Sequence, residues 1–192
     1  MAGIALGVAA LIVLVTPSLG RGDPSRVAAF SIYAGSLMFL YLASTLYHAV
    51  RGRAKIVLQR LDHIGIYLLI AGSYTPFTLV VLRGPGGWTL FWIVWALALC
   101  GITLSAIFGP RVRVISYVLY LLMGWLAVVV AVPLVRALSP PGAIWMLAGG
   151  VAYTGGFVLF TMRSLRHNHE IWHVLVLLGS LCHFIVLALY VA

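Results

Sequence analysis

Acidic residues are almost missing from this chain: Asp23, Asp62 and Glu170 are its only carboxylates in 192 residues. Charge of either sign is scarce, at 8% of residues, whereas a soluble domain carries roughly 25%. Such a chain cannot dress a water-facing surface. Cysteine is nearly absent as well. Cys100 and Cys182 both fall inside apolar runs, so they read as small buried hydrophobes and imply no disulfide framework. Alternation in segments of about 10 residues is not seen either, which argues against a transmembrane barrel.

Apolar residues fill the space instead, at 64% of the chain, with a mean hydropathy of +1.14. Runs near 20 residues long are separated by short basic and Gly/Pro-rich breaks, the pattern of membrane-spanning helices. The expected fold is all-α: a polytopic membrane protein, residues 1–192 forming one seven-helix transmembrane domain. The first helix is expected from near Met1 to Val15, stopped by Pro17. It lacks the basic start of a signal peptide and is read as a helix, not a cleaved leader. The others are expected over 27–50, from Leu61 to before Arg83, over 88–108, from beyond Arg113 to Val135, from beyond Gly142 to Met162, and from Asn168 to the end.

The net charge of +9 would suggest nucleic acid in a soluble protein. Here the twelve basic residues lie in the loops, where they orient helices and meet anionic lipid, so no nucleic-acid partner is expected. Arg51, Arg53, Lys55, Arg60, Arg111, Arg113, Arg163 and Arg166 fall on one side; Arg21, Arg26, Arg83 and Arg136 fall on the other. Eight against four predicts a cytoplasmic N-terminus and an outside C-terminus. Ala148, Ala152 and Gly156 form a small-residue stripe suited to ordinary close helix packing.

Histidine carries the chemistry. Six are present, and three of them, His167, His169 and His173, lie within seven positions beside Glu170. His169 and His173 are four residues apart, which on a helix sets both imidazoles on one face about 40° apart. The topology brings Ser44, His48, Asp62, His169 and His173 to one depth, near the inner edge of the hydrocarbon layer. An ionisable Asp62 in a span is costly unless paired and marks function by default. Three neutral imidazoles with an open fourth position form the catalytic zinc pattern. His48, His169 and His173 are the expected ligands, with Asp62 as base toward water held there and Ser44 orienting that water or steadying a carbonyl. On spacing alone, histidines bonded between helices remain the competing reading. His63 points about 100° away from Asp62, and His183 lies about 80° off the His173 face, where packing is the usual role. The run His169-Glu170-Ile171-Trp172-His173 also fits the H-E-x-x-H pattern of zinc proteases. Glu170 is nevertheless second to Asp62 as base: the pattern is short and arises often by chance, nothing else in the chain resembles a soluble protease cleft, and Arg166 offers Glu170 an i, i+4 partner.

Three motifs in order carry a resemblance: Ser44-Thr45-Leu46-Tyr47-His48; Leu61-Asp62-His63 running into Ala71-Gly72-Ser73-Tyr74-Thr75-Pro76; and His169-Glu170-Ile171-Trp172-His173 with Gly179-Ser180-Leu181-Cys182-His183-Phe184. The chain resembles, over nearly its whole length, the bacterial hemolysin III family within the progestin and adiponectin receptor superfamily. The resemblance implies a bacterial inner-membrane protein with seven helices and an inside N-terminus. It also implies a zinc near the cytoplasmic face, bound by His48, His169 and His173, with Asp62 reaching it through water and Ser44 beside it. The related receptors carry Gln at the position of Glu170, which argues against an obligatory Glu base.

Three functions follow as expectations. The first is a zinc-dependent, ceramidase-like hydrolase of a membrane-lipid amide or ester. The second is a zinc-stabilised sensor of membrane state without catalysis. The third is the cytolysis implied by the family name, disfavoured because a pore needs a continuous polar lining.

Overall fold

The computed structural model describes residues 2–162 and 164–192. Met1 and Arg163, the latter counted above among the basic loop residues, lie outside the described residues. Among those described, the chain is helical and contains no strand. The helices are α1 (Ala2–Gly20), α2 (Pro24–Ala49), α3 (Ala54–Val81), α4 (Pro85–Phe108), α5 (Arg113–Trp125), α6 (Ala131–Ala137), α7 (Pro140–Thr161) and α8 (Asn168–Tyr190). Among the described residues, six stretches are long and apolar enough to cross a membrane; one of them, Pro85–Ala137, runs for 53 residues through α4, α5 and α6. The all-helical membrane class expected from composition is therefore present.

Several boundaries differ from those expected, each for a local reason. Pro17 does not stop α1: a π turn over Leu11–Val15, with the Thr16 N–H bonded to the Leu11 carbonyl, carries the helix to Gly20. Asp23 caps α2, its Oδ1 accepting from the N–H groups of Ser25 and Arg26 at 3.1 Å each, so that helix starts at Pro24 and not at Val27. The start of α3 is at Ala54, seven residues before Leu61. Lys, Leu, Gln and Arg are good helix formers, and a helix end in the headgroup region tolerates their charges. Asp62 consequently sits more than two turns into α3, not in its first turn. Pro140 and Pro141 open α7 rather than preceding it, since a first helical turn has no use for their missing N–H groups.

The chain divides into two compact units, 1–133 and 134–192. In the first, α2 packs along α3, α1 along α2, and α4 and α5 against α3. Gly65 lets α2 approach α3 closely, because a Cβ there would stand 3.0 Å from the Leu40 Cα. Tyr67, Ala71, Leu90, Val94, Ala98, Tyr120 and Met123 form a buried apolar core among α3, α4 and α5. Polar ties cross it: the Tyr120 hydroxyl donates to the His63 carbonyl at 2.9 Å, and the Trp95 indole N–H to Thr75 Oγ1 at 3.1 Å. After α4, Gly109 adopts φ +55° and a 3-10 turn over Gly109–Val112 leads into α5. Ser105 and Ser116 then face each other across α4 and α5 at 3.4 Å.

In the second unit α7 and α8 pack as a pair. Small residues admit rings here. The His183 ring occupies the notch at Gly149, the Tyr153 ring that at Gly179, and the Tyr153 and Ser180 hydroxyls meet at 2.9 Å. His183 and Tyr153 lie with ring centroids 5.4 Å apart.

Candidate metal centre

The five expected site residues divide between the two units, three in the first and two in the second. In the first, Ser44 sits in the last two turns of α2 and Asp62 in α3, where the two helices run side by side. Both are buried, at 8% and 9% exposure. Ser44 is a hydrogen-bond partner of Asp62, and His48 lies near enough for its charge to act on the carboxyl. Ser44 and His48 are four residues apart, so one helix face presents both. Burial of a carboxyl in a span demands such company. His48 itself is exposed and its ring lies edge-on to Tyr47, centroids 4.8 Å apart. Lys55 places its ammonium 5.1 Å above that same Tyr47 ring.

In the second unit, His169 and His173 occupy the first two turns of α8, both half-buried. Their Nε2 atoms stand 3.1 Å apart, with the ring planes at 87°. The neighbours of this pair were not anticipated from sequence. Phe160 of α7 packs on the His169 ring at 5.8 Å between centroids and on Trp172 at 5.7 Å. Asn168 Nδ2 donates to the Phe160 carbonyl at 3.0 Å, tying the start of α8 to the end of α7. Phe157 and Phe160, three apart, share the face that meets Trp172, a spacing visible in the sequence.

Glu170 departs from expectation. Its carboxylate pairs with His167 Nδ1 at 3.7 Å, at i, i+3, instead of with Arg166. His167 has φ +63°, a left-handed turn that swings its ring toward the helix it precedes. With its side chain 68% exposed, Glu170 is a solvated residue beside the pair rather than part of it. His183 lies ten residues beyond His173, about 15 Å along α8, and packs with Tyr153.

The chemistry of the pair suits a metal. Two unprotonated imidazole nitrogens repel at 3.1 Å unless a proton or a cation lies between them. Tetrahedral zinc with Zn–N bonds of 2.0–2.1 Å sets its ligand nitrogens about 3.3 Å apart. His169 and His173 therefore fit zinc as two of its ligands.

Long apolar helices with few buried polar residues define a polytopic helical membrane protein. Within that class, the Haemolysin-III related family model matches residues 1–184, and the chain belongs to this family. It is 43% identical over 190 residues to Hemolysin-3 of Bacillus cereus, covering 98% of this chain and 87% of that protein. It is 38% identical to the Hemolysin-3 homolog of Bacillus subtilis, over 98% of this chain and 89% of that one. More distantly, it is 28% identical over 162 residues to the human monocyte to macrophage differentiation factor, covering 80% and 66%. It is also 26% identical over 185 residues to Heptahelical transmembrane protein 1 of Arabidopsis thaliana, covering 84% and 56%. These likenesses bear out the family and the wider receptor superfamily that the three motifs indicated.

Proposed function

We propose that the two half-sites close on one zinc ion, held by His48, His169 and His173, and that the centre hydrolyses an amide or ester of a membrane lipid. The observation carrying the zinc is the facing Nε2 pair of His169 and His173 at 3.1 Å. The buried Ser44–Asp62 pair beside His48 carries the hydrolysis. A zinc ion supplies Lewis acidity, polarising a carbonyl and making water acidic near neutral pH. Asp62 accepts the proton of the attacking water and returns it to the leaving amine or alcohol. Ser44 donates its hydroxyl hydrogen to the Asp62 carboxylate and fixes which of its oxygens faces the attacking water. The short polar reach at the ends of α2 and α3, inside otherwise apolar helices, suits a carbonyl at the glycerol or amide depth of a lipid.

This reading takes the chain as one domain of seven spans in a bacterial inner membrane, with the N-terminus in the cytoplasm. At 1.5 Å per residue the 53-residue stretch Pro85–Ala137 is about 80 Å long, over twice a hydrocarbon core of roughly 30 Å. The break at Gly109 and the Ser105–Ser116 contact favour two crossings. The bias of basic residues supports that orientation. The Arabidopsis relative bears the name heptahelical.

The test is turnover with metal content measured on the same samples. Asp62→Asn should retain zinc and lose hydrolysis of a ceramide-type amide; a zinc-loaded Asp62→Asn variant that hydrolyses as fast as wild type would defeat the reading. Zinc content near one per chain without any lipid turnover would favour instead a zinc-stabilised sensor.

A further inference from the structure

At the other end of the first unit lies a cleft that the hydrolytic reading does not use. Asp23 begins α2 and His48 ends it, roughly 37 Å away along the axis. The cleft has a volume of about 460 Å3 and is lined by Asp23, Ser25, Leu79, Arg83, Gly84 and Trp88. It combines cationic, apolar and aromatic walls at the depth where the helices end.

Its charge is arranged asymmetrically. The Asp23 carboxylate is already committed: Oδ1 takes the Ser25 and Arg26 N–H groups, and Oδ2 stands 3.4 Å from Arg26 Nε. Arg83 reaches the same oxygen only at 3.9 Å, an ion-pair distance beyond a good hydrogen bond, and its side chain is 65% exposed. Arg83 is held from behind, its Nε donating to the Val80 carbonyl at 3.0 Å from a backbone at φ +32°. Arg26, outside the lining, engages the Asp23 carboxylate more closely, so Arg83 is the less neutralised charge in the cleft, and the starts of α2 and α4 add the positive ends of two helix dipoles. The site therefore selects an anion.

The walls say which kind. Leu79 gives the cleft an apolar side, and Trp88 is 50% exposed beside it. Trp88 stacks with Trp92, centroids 6.4 Å apart and planes at 26°, and Trp92 is 63% exposed further down α4. Indoles exposed in this way at the end of a spanning helix belong at the headgroup and glycerol depth of a bilayer. A free anion would make no use of them.

We propose that this cleft binds the phosphodiester of a glycerophospholipid headgroup, with Arg83 as the cation that grips it and Trp88 against the glycerol and first acyl carbons. Guanidinium groups pair with phosphate oxygens through two parallel N–H donors, which suits Arg83 better than a lysine there. Asp23 then acts against affinity while holding the cleft in shape.

Native mass spectrometry of the full chain in detergent, titrated with phosphatidylglycerol, tests the site. Wild type should retain the lipid, Arg83→Gln should weaken retention about tenfold, and Arg53→Gln at the opposite end of the unit should leave it unchanged. Asp23→Asn should tighten it several-fold, because Asn caps a helix as well as Asp does while the opposing charge is gone; misfolding cannot produce that gain. Binding of Arg83→Gln within twofold of wild type, or weakening by Asp23→Asn, would overturn the proposal. Equal retention of a diacylglycerol with the same chains would show that phosphate is not recognised and would overturn it too. Displacement of the lipid by equimolar inorganic phosphate would mark a plain anion site and reject the lipid.

Discussion

The Nε2 atoms of His169 and His173 face each other at 3.1 Å across one turn of α8, braced by Phe160 and by the Asn168 bond to α7. Bracing matters because a pre-positioned ligand pair loses little entropy when a metal arrives. His173→Ala or His169→Ala should each remove most zinc from the purified protein, measured by atomic emission against wild type. Phe160→Ala should keep both nitrogens and lower zinc affinity by about 10-fold, as losses of orienting partners do. Full zinc occupancy in His173→Ala would remove that residue from the site.

Ser44 and Asp62 form the other fixed pair, and their dependence is lopsided. Ser44→Ala leaves a buried carboxyl short of a partner, at a cost of about 1–3 kcal/mol. A lowered thermal midpoint in detergent should reveal it. The double variant Ser44→Ala with Asp62→Leu removes both polar groups and should recover much of that loss, while losing the turnover that the proposed chemistry assigns to Asp62. Equal midpoints for wild type and Ser44→Ala would mean the hydroxyl does not serve the carboxyl.

How much of this was legible beforehand depended on the kind of signal. Scarcity made Asp62 and the paired histidines conspicuous, and hydropathy fixed the membrane class, because both are properties of residue type. Ends were harder. The start of α3 at Ala54 was hidden because Lys55 and Arg60 read as loop by hydropathy although both favour helix. Pro17 reads as a stop, yet the π turn before it lets α1 continue. The Glu170 partner depended on one backbone angle, the positive φ of His167, which no periodicity encodes. The bracing role of Phe160 arises from contact between two helices, and only the fold reveals it.

Exposure and partner together predict that Glu170 is dispensable. Glu170→Gln breaks a contact with His167 at 3.7 Å on the protein surface, where such pairs are worth less than about 1 kcal/mol. Zinc content and lipid hydrolysis should both stay within about twofold of wild type. A collapse of turnover with zinc retained would restore Glu170 as the base and return the site to the H-E-x-x-H pattern.

The α7–α8 pair yields a prediction that bears on the site from a distance. A Cβ on Gly149 would stand 2.7 Å from His183 Nε2, and the Gly179 carbonyl is 3.2 Å from the same point, so neither side has room. Overpacking of this kind costs about 1–3 kcal/mol. Gly149→Ala should therefore lower the thermal midpoint, and Gly150→Ala, which meets nothing within 4 Å, should not. Because α8 carries His169 and His173 on the same rigid rod, a displaced α8 should also misplace the Phe160 brace. Gly149→Ala is expected to lose zinc affinity along with stability, measured by competition with a chelator dye at a temperature where the variant remains folded. Unchanged affinity in a destabilised Gly149→Ala would show that the metal pair is set by the first two turns of α8 alone.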